Sequence, residues 1–136
     1  MDPAIANALA PGPESTMADR TVDITTLGAR SNKPRRIEIW FHNVDGVVYI
    51  TGLPGPRDWY ANLLAQPRFT FHLKHGVGAD LSAVATPVTD PGERARLFGA
   101  IIAGIDDLYI RRGSHRRVAR TDRWLADSPL VRVTFD

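Results

Sequence analysis

About six short runs that alternate apolar and polar residues, joined mostly by tight turns carrying Gly or Asp-Gly, predict an antiparallel, barrel-like α+β domain. Two windows with helical spacing, with a third short one near the C-terminus, bring the expected count to two or three helices. The strand-like runs follow one another as a meander, which argues against a parallel sheet. At 136 residues the chain makes about one domain and can bury roughly two-thirds of its unfolded surface in a single core.

Residues 1–19 are rich in Ala and Pro, hold Pro3, Pro11 and Pro13, and lack a full amphipathic period. They are expected to form a flexible tail, with Ile5 to Leu9 making one helical turn that packs only on a partner, and the barrel to occupy 20–136. Arg20 to Thr26 reads as the first strand, with Val22, Ile24 and Thr26 on one face. Arg36 to His42 alternates again: Ile37, Ile39 and Phe41 lie on one face, and Arg36, Glu38, Trp40 and His42 on the other. Asp45-Gly46 supplies the positive φ angles of a two-residue turn into Val47 to Thr51. After the Gly52-Leu53-Pro54-Gly55-Pro56 loop, Arg57 to Gln66 pairs Trp59 with Leu63 and Tyr60 with Leu64 at helical spacing, with Asp58 in the first turn. Pro67 stops that helix.

Arg68 to Lys74 alternates with Phe69, Phe71 and Leu73 inward, Gly76 to Gly78 turns the chain, and Ala79 to Val88 runs to a bend or end at Pro87. Asp90-Pro91-Gly92-Glu93 is a helix start with an N-cap acid, a proline at N1 and a glutamate at N3. The helix is expected to run to about Ile105, burying Leu97, Phe98, Ile101, Ile102 and Ile105 while Arg94 and Arg96 point to water. A short helix ending near Trp124 is expected within Arg111 to Arg123, and Pro129 leads into a closing strand with Leu130, Val131, Val133 and Phe135.

Composition narrows the function classes. The chain has no Cys, which excludes disulfides, thiolate metal sites and cysteine nucleophiles and fits a cytoplasmic protein. No apolar run approaches the roughly 18 residues of a membrane span. The formal net charge is only +2, from 17 basic and 15 acidic residues, so an anionic partner must be argued from where the cations cluster. One cluster is Arg30, Lys33, Arg35 and Arg36, beside Gly28, Ser31 and Asn32 and without an intervening acid; it reads as an anion site or as a solvated hairpin turn. The other comprises Arg111, Arg112, Arg116, Arg117, Arg120 and Arg123. As a nucleic-acid track it lacks regular aromatic interleaving and any groove-reading motif, so nucleic acid is not the expected partner. His72 and His75 face opposite sides of a strand and its end, so no metal site is expected. Ser31 and Ser114 have no base-and-orienter context for a hydrolase triad.

The run Thr26-x-Gly28-x-Arg30-Ser31-x-x-Pro34-Arg35, the Arg-Ile-Glu-Ile-Trp-Phe strand after it, and the Gly52 loop before Asp58-Trp59-Tyr60-x-Asn62-Leu63 resemble the deazaflavin-dependent nitroreductase family. The resemblance covers most of Thr21 to Ile105 and continues weakly to the last strand. It implies an FMN-binding-like split β-barrel of about six mostly antiparallel strands, with an 8-hydroxy-5-deazaflavin coenzyme, F420, as hydride donor. Some members of the wider superfamily use FMN or bind haem or fatty acids, which leaves FMN as the alternative cofactor and a non-catalytic cofactor or lipid carrier as the alternative role. The family motif reads Thr-x-Gly-Arg-Lys/Arg-Ser-Gly-x-Pro-Arg. Here Ala29 replaces its first basic residue, which weakens anion binding, and Asn32 replaces its second glycine, where asparagine tolerates positive φ.

The resemblance implies a reductase passing hydride to an activated alkene, quinone or nitro-type small molecule, with the coenzyme doing the chemistry and no side-chain nucleophile. It implies a coenzyme-binding set of Arg30, Ser31, Asn32, Lys33, Pro34, Arg35, Arg36, Glu38, Trp40, Thr51, Gly52, Leu53, Gly55 and Trp59. The basic residues of that set suit a phosphodiester and polyglutamate tail, and Gly52, Leu53 and Gly55 suit main-chain contacts to the ring. Read from the strand alone, Glu38 is rather a partner of Arg36 or another cross-strand arginine, and Trp59 is at least as often plain core. Tyr109, His115 and Trp124 are the substrate-side candidates, because the polar-aromatic segment after the long helix is left to cover the barrel mouth. Split barrels commonly pair across the sheet, so a homodimer is the expected assembly.

Overall fold

The computed structural model of the chain describes residues 1–113 and 121–136. The described elements are α1 (Pro3–Ala8), β1 (Thr21–Leu27), β2 (Pro34–Val44), β3 (Val47–Thr51), α2 (Asp58–Ala65), β4 (Arg68–Leu73), β5 (Ala79–Pro87), α3 (Pro91–Arg111), α4 (Thr121–Asp127) and β6 (Leu130–Phe135). The strands close into an antiparallel barrel in the order β1-β2-β3-β6-β5-β4. β2 is long enough to serve two neighbours: Pro34 to Trp40 pair with β1, and Phe41 to Val44 pair with β3. The β2–β3 turn places Asp45 at φ 53° and Gly46 at φ 84°, and Asn43 Oδ1 accepts the Gly46 N–H at 3.0 Å.

The alternation read from the sequence sorts inside from outside. Val22, Ile24, Phe41, Ile50, Phe69, Phe71, Val131 and Val133 fill the barrel, where Phe71 meets Phe41 and Phe135 edge-on. On the outer surface, Tyr49, Val88 and Leu130 meet Leu97, Phe98, Ile101, Ile102 and Ile105 of α3. Asp90 caps α3 through a 2.9 Å bond from Glu93 N–H to its carboxylate, as the sequence motif requires. The helix runs six residues beyond Ile105, because buried Leu108 prolongs the apolar stripe and Arg111 reaches back to Asp107 at 3.1 Å.

Three further expectations change. Arg94 does not point to water. Its guanidinium binds the carbonyls of Val88 (2.9 Å), Leu125 (3.0 Å) and Ser128 (2.7 Å) and lies 5.1 Å from the Phe98 ring centroid, which ties the end of α4 to the start of α3. The N-terminal segment forms α1, and Leu9 enters the barrel core of this same chain rather than waiting for a partner. Asn43 Nδ2 donates to the Leu9 carbonyl at 2.9 Å, and Arg111 donates to the Ser15 carbonyl at 3.0 Å. The C-terminal helix begins at Thr121 and passes Trp124 to end at Asp127. No helix among the described residues is long and apolar enough to cross a membrane.

Candidate coenzyme site

The basic turn between β1 and β2 is held by its own backbone. Gly28 N–H donates to the Lys33 carbonyl at 2.9 Å, Asn32 N–H donates to the Gly28 carbonyl at 2.9 Å, and Lys33 N–H donates to Ser31 Oγ at 3.2 Å. Asn32 takes the left-handed conformation, φ 56°, so the asparagine preserves a geometry that glycine would give, and Gln66 donates to its side-chain oxygen at 2.6 Å. A Cβ on Gly28 would meet Ser31 Oγ, so a larger residue there would require the Ser31 hydroxyl to move from the Lys33 N–H that it accepts.

Asn62 fixes this turn to α2. Its Oδ1 accepts the Ala29 N–H at 2.8 Å in a part-buried contact, while its Nδ2 donates to Thr26 Oγ1 at 3.1 Å in a buried one. Sequence reasoning quoted Asn62 only as part of a motif. The signal that could have singled it out is an amide on the core-facing side of a short amphipathic helix, where a polar group must find partners.

Between the turn and α2 lies a cavity of about 800 Å³. Arg30, Ser31 and Arg35 line its basic side, Ile37 and Trp59 its apolar side, and Asp58, Asn62 and Thr26 complete it. Trp59 is both wall and core: it is buried, stands edge-on to Tyr60 at 5.9 Å, and closes one end of the barrel with Leu63. Among the described residues, Arg30, Lys33 and Arg35 have no carboxylate partner, whereas Arg36, Arg68, Arg96 and Arg111 do.

The register divides the expected binding set by parity. Arg35 stands opposite Thr26, and with Ile37 it belongs to the strand face that opens into the cavity. Arg36, Glu38 and Trp40 lie on the other face of β2, so the structure brings none of them to the cavity. Arg36 binds Asp23 at 3.0 Å, Lys74 bridges Asp23 and Glu38, and Trp40 packs with the α3 cluster. The hydrogen bond from Lys74, followed by that from Arg36, holds the Asp23 carboxyl below its ordinary range. Lys74 is therefore the partner that Glu38 has, in place of the cross-strand arginine expected for it.

The loop after β3 is likewise more structural than expected. Thr51 is buried and donates to the Pro129 carbonyl at 2.6 Å. Gly55 N–H is taken by the Asp127 carbonyl at 3.0 Å, so it offers no donor to a ring. Arg57 staples the loop through the carbonyls of Pro56 (2.7 Å) and Pro54 (3.4 Å). Gly52 lies against the indole of Trp59, 3.7 Å from the position a Cβ would take, and Leu53 is exposed.

Of the substrate-side candidates, Trp124 is core: it is 4% exposed and meets Phe98 edge-on at 6.1 Å. Tyr109 packs on the edge of the same cluster. His115 lies outside the described residues, as do Ser114, Arg116, Arg117 and Arg120. Arg111 pairs with Asp107 at 3.1 Å and donates to the Ser15 carbonyl at 3.0 Å. Among the described residues no three His, Asp or Glu side chains are grouped to hold a metal.

These groups fit a deazaflavin coenzyme in the chemistry of their donors. Uncompensated guanidinium and ammonium groups suit a phosphate and glutamyl carboxylates, and an indole beside an isoleucine suits a flat ring. Comparison with known proteins agrees. A conserved hypothetical protein from Mycobacterium tuberculosis shares the fold at a TM-score of 0.66 and 20% identity, over 99% of this chain and 81% of that one. A structure described as an F420 reductase matches at 0.63 and 17% identity, over 96% and 92%. The haem storage protein HutZ from Vibrio cholerae matches at 0.57 and 17% identity, over 86% and 82%. At such identities the likeness shows the fold alone, and that fold is a split barrel. No curated protein sequence matches the chain. The model of the F420H(2)-dependent quinone reductase family matches residues 10–125, and the chain belongs to that family: it is an oxidoreductase whose coenzyme is F420.

Proposed function

We propose that this chain holds F420 in the cavity between the basic turn and α2 and reduces a quinone-type acceptor. The observation that carries the reading is the pair of arginines that, among the described residues, have no carboxylate partner, Arg30 and Arg35, at a cavity that also presents Trp59 and Ile37, with Lys33 of the same turn likewise unpaired with a carboxylate. The bound coenzyme supplies the hydride. Arg30 and Arg35 clasp its phosphate and glutamyl tail, and Lys33 adds a point charge. Gly28, Asn32 and Asn62 hold the arginines at fixed positions, and Trp59 and Ile37 keep water from the ring.

The test is a coenzyme titration. Arg30→Ala or Arg35→Ala should lose a charge-assisted contact of roughly 1.5–3 kcal/mol, about ten- to a hundredfold in affinity. Lysine should restore only part of the loss, since it cannot form the two-pronged contact. Arg36→Ala should leave affinity unchanged, because Arg36 faces Asp23 on the other side of the strand. Equal losses from Arg35→Ala and Arg36→Ala, or none from Arg30→Ala and Arg35→Ala combined, would refute the assignment.

A further inference from the structure

The cavity of about 800 Å³ holds an anion as well as its two arginines. Asp58 lines it together with Arg30 and Arg35, is exposed, and makes no hydrogen bond or ion pair among the described residues. Arg30 and Arg35 have no carboxylate partner there either, so unlike charges share one cavity without meeting. Elsewhere on the barrel such groups close on each other: Arg36 binds Asp23 at 3.0 Å, and Arg96 binds Glu93 at 2.7 Å.

The helix sets this separation. Gln66, just past the C-terminal end of α2, donates to Asn32 of the basic turn at 2.6 Å, and Asn62 is fastened to the same turn by its bonds with Ala29 and Thr26. Asp58 lies four residues before Asn62 and so shares its face of the helix, about 6 Å further along the axis and away from the turn. Trp59, beside it in the chain, lies against Gly52 of the loop after β3. The cavity therefore runs from a cationic end at the turn to an anionic end at the start of α2. A carboxylate in that first turn also takes up the positive end of the helix, which disfavours an anionic ligand group there.

This polarity restricts the ligand. A molecule that is anionic throughout meets repulsion at Asp58, and a carboxylate covered by a ligand without a donor loses its water with nothing in return. The match is a ligand with its anion at the arginines and hydrogen-bond donors nearer Trp59. In a deazaflavin coenzyme the ring is joined to the phosphodiester by a ribityl chain, which is uncharged and carries hydroxyl groups.

We infer that Asp58 recognises this polyhydroxy chain: a ribityl O–H donates to the Asp58 carboxylate while Arg30 and Arg35 hold the phosphate and the tail. The inference rests on the coenzyme assignment above and deepens it, adding a specificity-determining contact at the uncharged part of the ligand. A hydrogen bond to an ionised acceptor is stronger than one between neutral groups, and a ligand without the hydroxyl leaves the acceptor unmatched.

The experiment is a calorimetric titration of the full chain with oxidised F420 and with its phosphate-free fragment, the deazaflavin ring bearing only the ribityl chain. Asp58→Ala should weaken both ligands by the same factor, about tenfold, the loss of one charge-assisted hydrogen bond. Asp58→Asn, which keeps an acceptor oxygen without the charge, should lose less. Arg35→Ala should weaken F420 and leave the fragment unaffected, because the fragment carries no phosphate or tail. Thermal melting checks that each variant is folded at the titration temperature, and the nearly isosteric Asp58→Asn carries the test if Asp58→Ala is not. Tighter F420 binding by Asp58→Asn would show that the carboxylate only repels the tail, and would overturn the inference. A lower melting point with unchanged affinity for both ligands would assign Asp58 to the helix alone and overturn it as well, as would failure of wild type to bind the fragment at millimolar concentration. A chain whose F420 affinity falls with Arg35→Ala but not with Asp58→Ala loses this inference alone, whereas a chain that fails to bind F420 loses the reading beneath it.

Discussion

Asn62→Ala tests whether the basic turn is a prepared binding element or a loose loop that carries charge. Asn62 is 7% exposed and makes two hydrogen bonds that cross from α2 to the turn, at 2.8 Å from Ala29 N–H and 3.1 Å to Thr26 Oγ1. At roughly 0.5–1.5 kcal/mol each, their loss should cost about 1–3 kcal/mol of stability, the upper end applying because the Ala29 N–H is left partly buried without an acceptor. For a chain of this length that corresponds to a melting point lower by about 3–12 °C. The same variant should weaken F420 binding, because Arg30 follows Ala29 and Arg35 stands opposite Thr26, the two residues that Asn62 holds, and both arginines would then have to be ordered on binding. Thermal melting, with coenzyme titration below the transition, reads both effects. Thr26→Val removes one partner, so the two substitutions combined should cost less than their separate costs added. An Asn62→Ala protein that melts within about 1 °C of wild type would refute the clamp. A destabilised protein with wild-type affinity would refute its role in holding the arginines.

Three further outcomes follow from packing and charge. Ile101 is 2% exposed on the inner face of α3, so Ile101→Ala should cost about 2–5 kcal/mol in denaturant unfolding, and a cost below about 0.5 kcal/mol would mean that the wrong helix face was assigned. Burial, reinforced by the charge of Arg20, lowers the pKa of His42 to about 3 from 6.5. The folded chain keeps His42 neutral below pH 6.5 while the unfolded chain takes up a proton. Stability is therefore fully present above pH 6.5 and should fall by about 1.4 kcal/mol per pH unit towards pH 3, a slope that His42→Gln should remove from the melting profile. Deleting residues 1–19 withdraws Leu9 from the core and the Leu9 and Ser15 carbonyls from Asn43 and Arg111. The remaining 20–136 should still unfold cooperatively, about 2–4 kcal/mol less stable; an unchanged transition would contradict the packing of Leu9, and a lost one would contradict the domain boundary.

The barrel was legible because a strand with one buried face must alternate, and Val22 to Thr26, Arg68 to Phe71 and Val131 to Thr134 do so. The order in which the strands close was not legible, since β3 pairing with β6 joins Val48 to Val133 across the chain and leaves no local mark. Helix ends divided the same way. Asp90, Pro91 and Glu93 announce the start of α3 through local chemistry, but Asp106-Asp107 mimics a polar end that Leu108 overrides by packing. Arg94 was misread for a similar reason: a lone arginine on a helix belongs in water unless several carbonyls converge on it, and those carbonyls come from Val88 and from a segment more than thirty residues on.

The site shows where alternation alone stops. It states that Arg35 and Ile37 share a face and that Arg36, Glu38 and Trp40 share the other, but not which face meets a ligand. The cross-strand register decides it, through what stands opposite each cation. Arg35 faces Thr26, a neutral side chain already held by Asn62, and its charge remains unmatched. The outer face instead supplies Asp23, which binds Arg36 and Lys74 together, while Lys74 also reaches Glu38. A cation whose field is cancelled by an adjacent carboxylate has little left for a phosphate. The basic turn therefore contributes to an anion site through alternate residues of β2, with the intervening ones used to join β1, β2 and β4 on the outer surface. A run of four cations in seven positions is thus two structures in one segment, and only the register separates them.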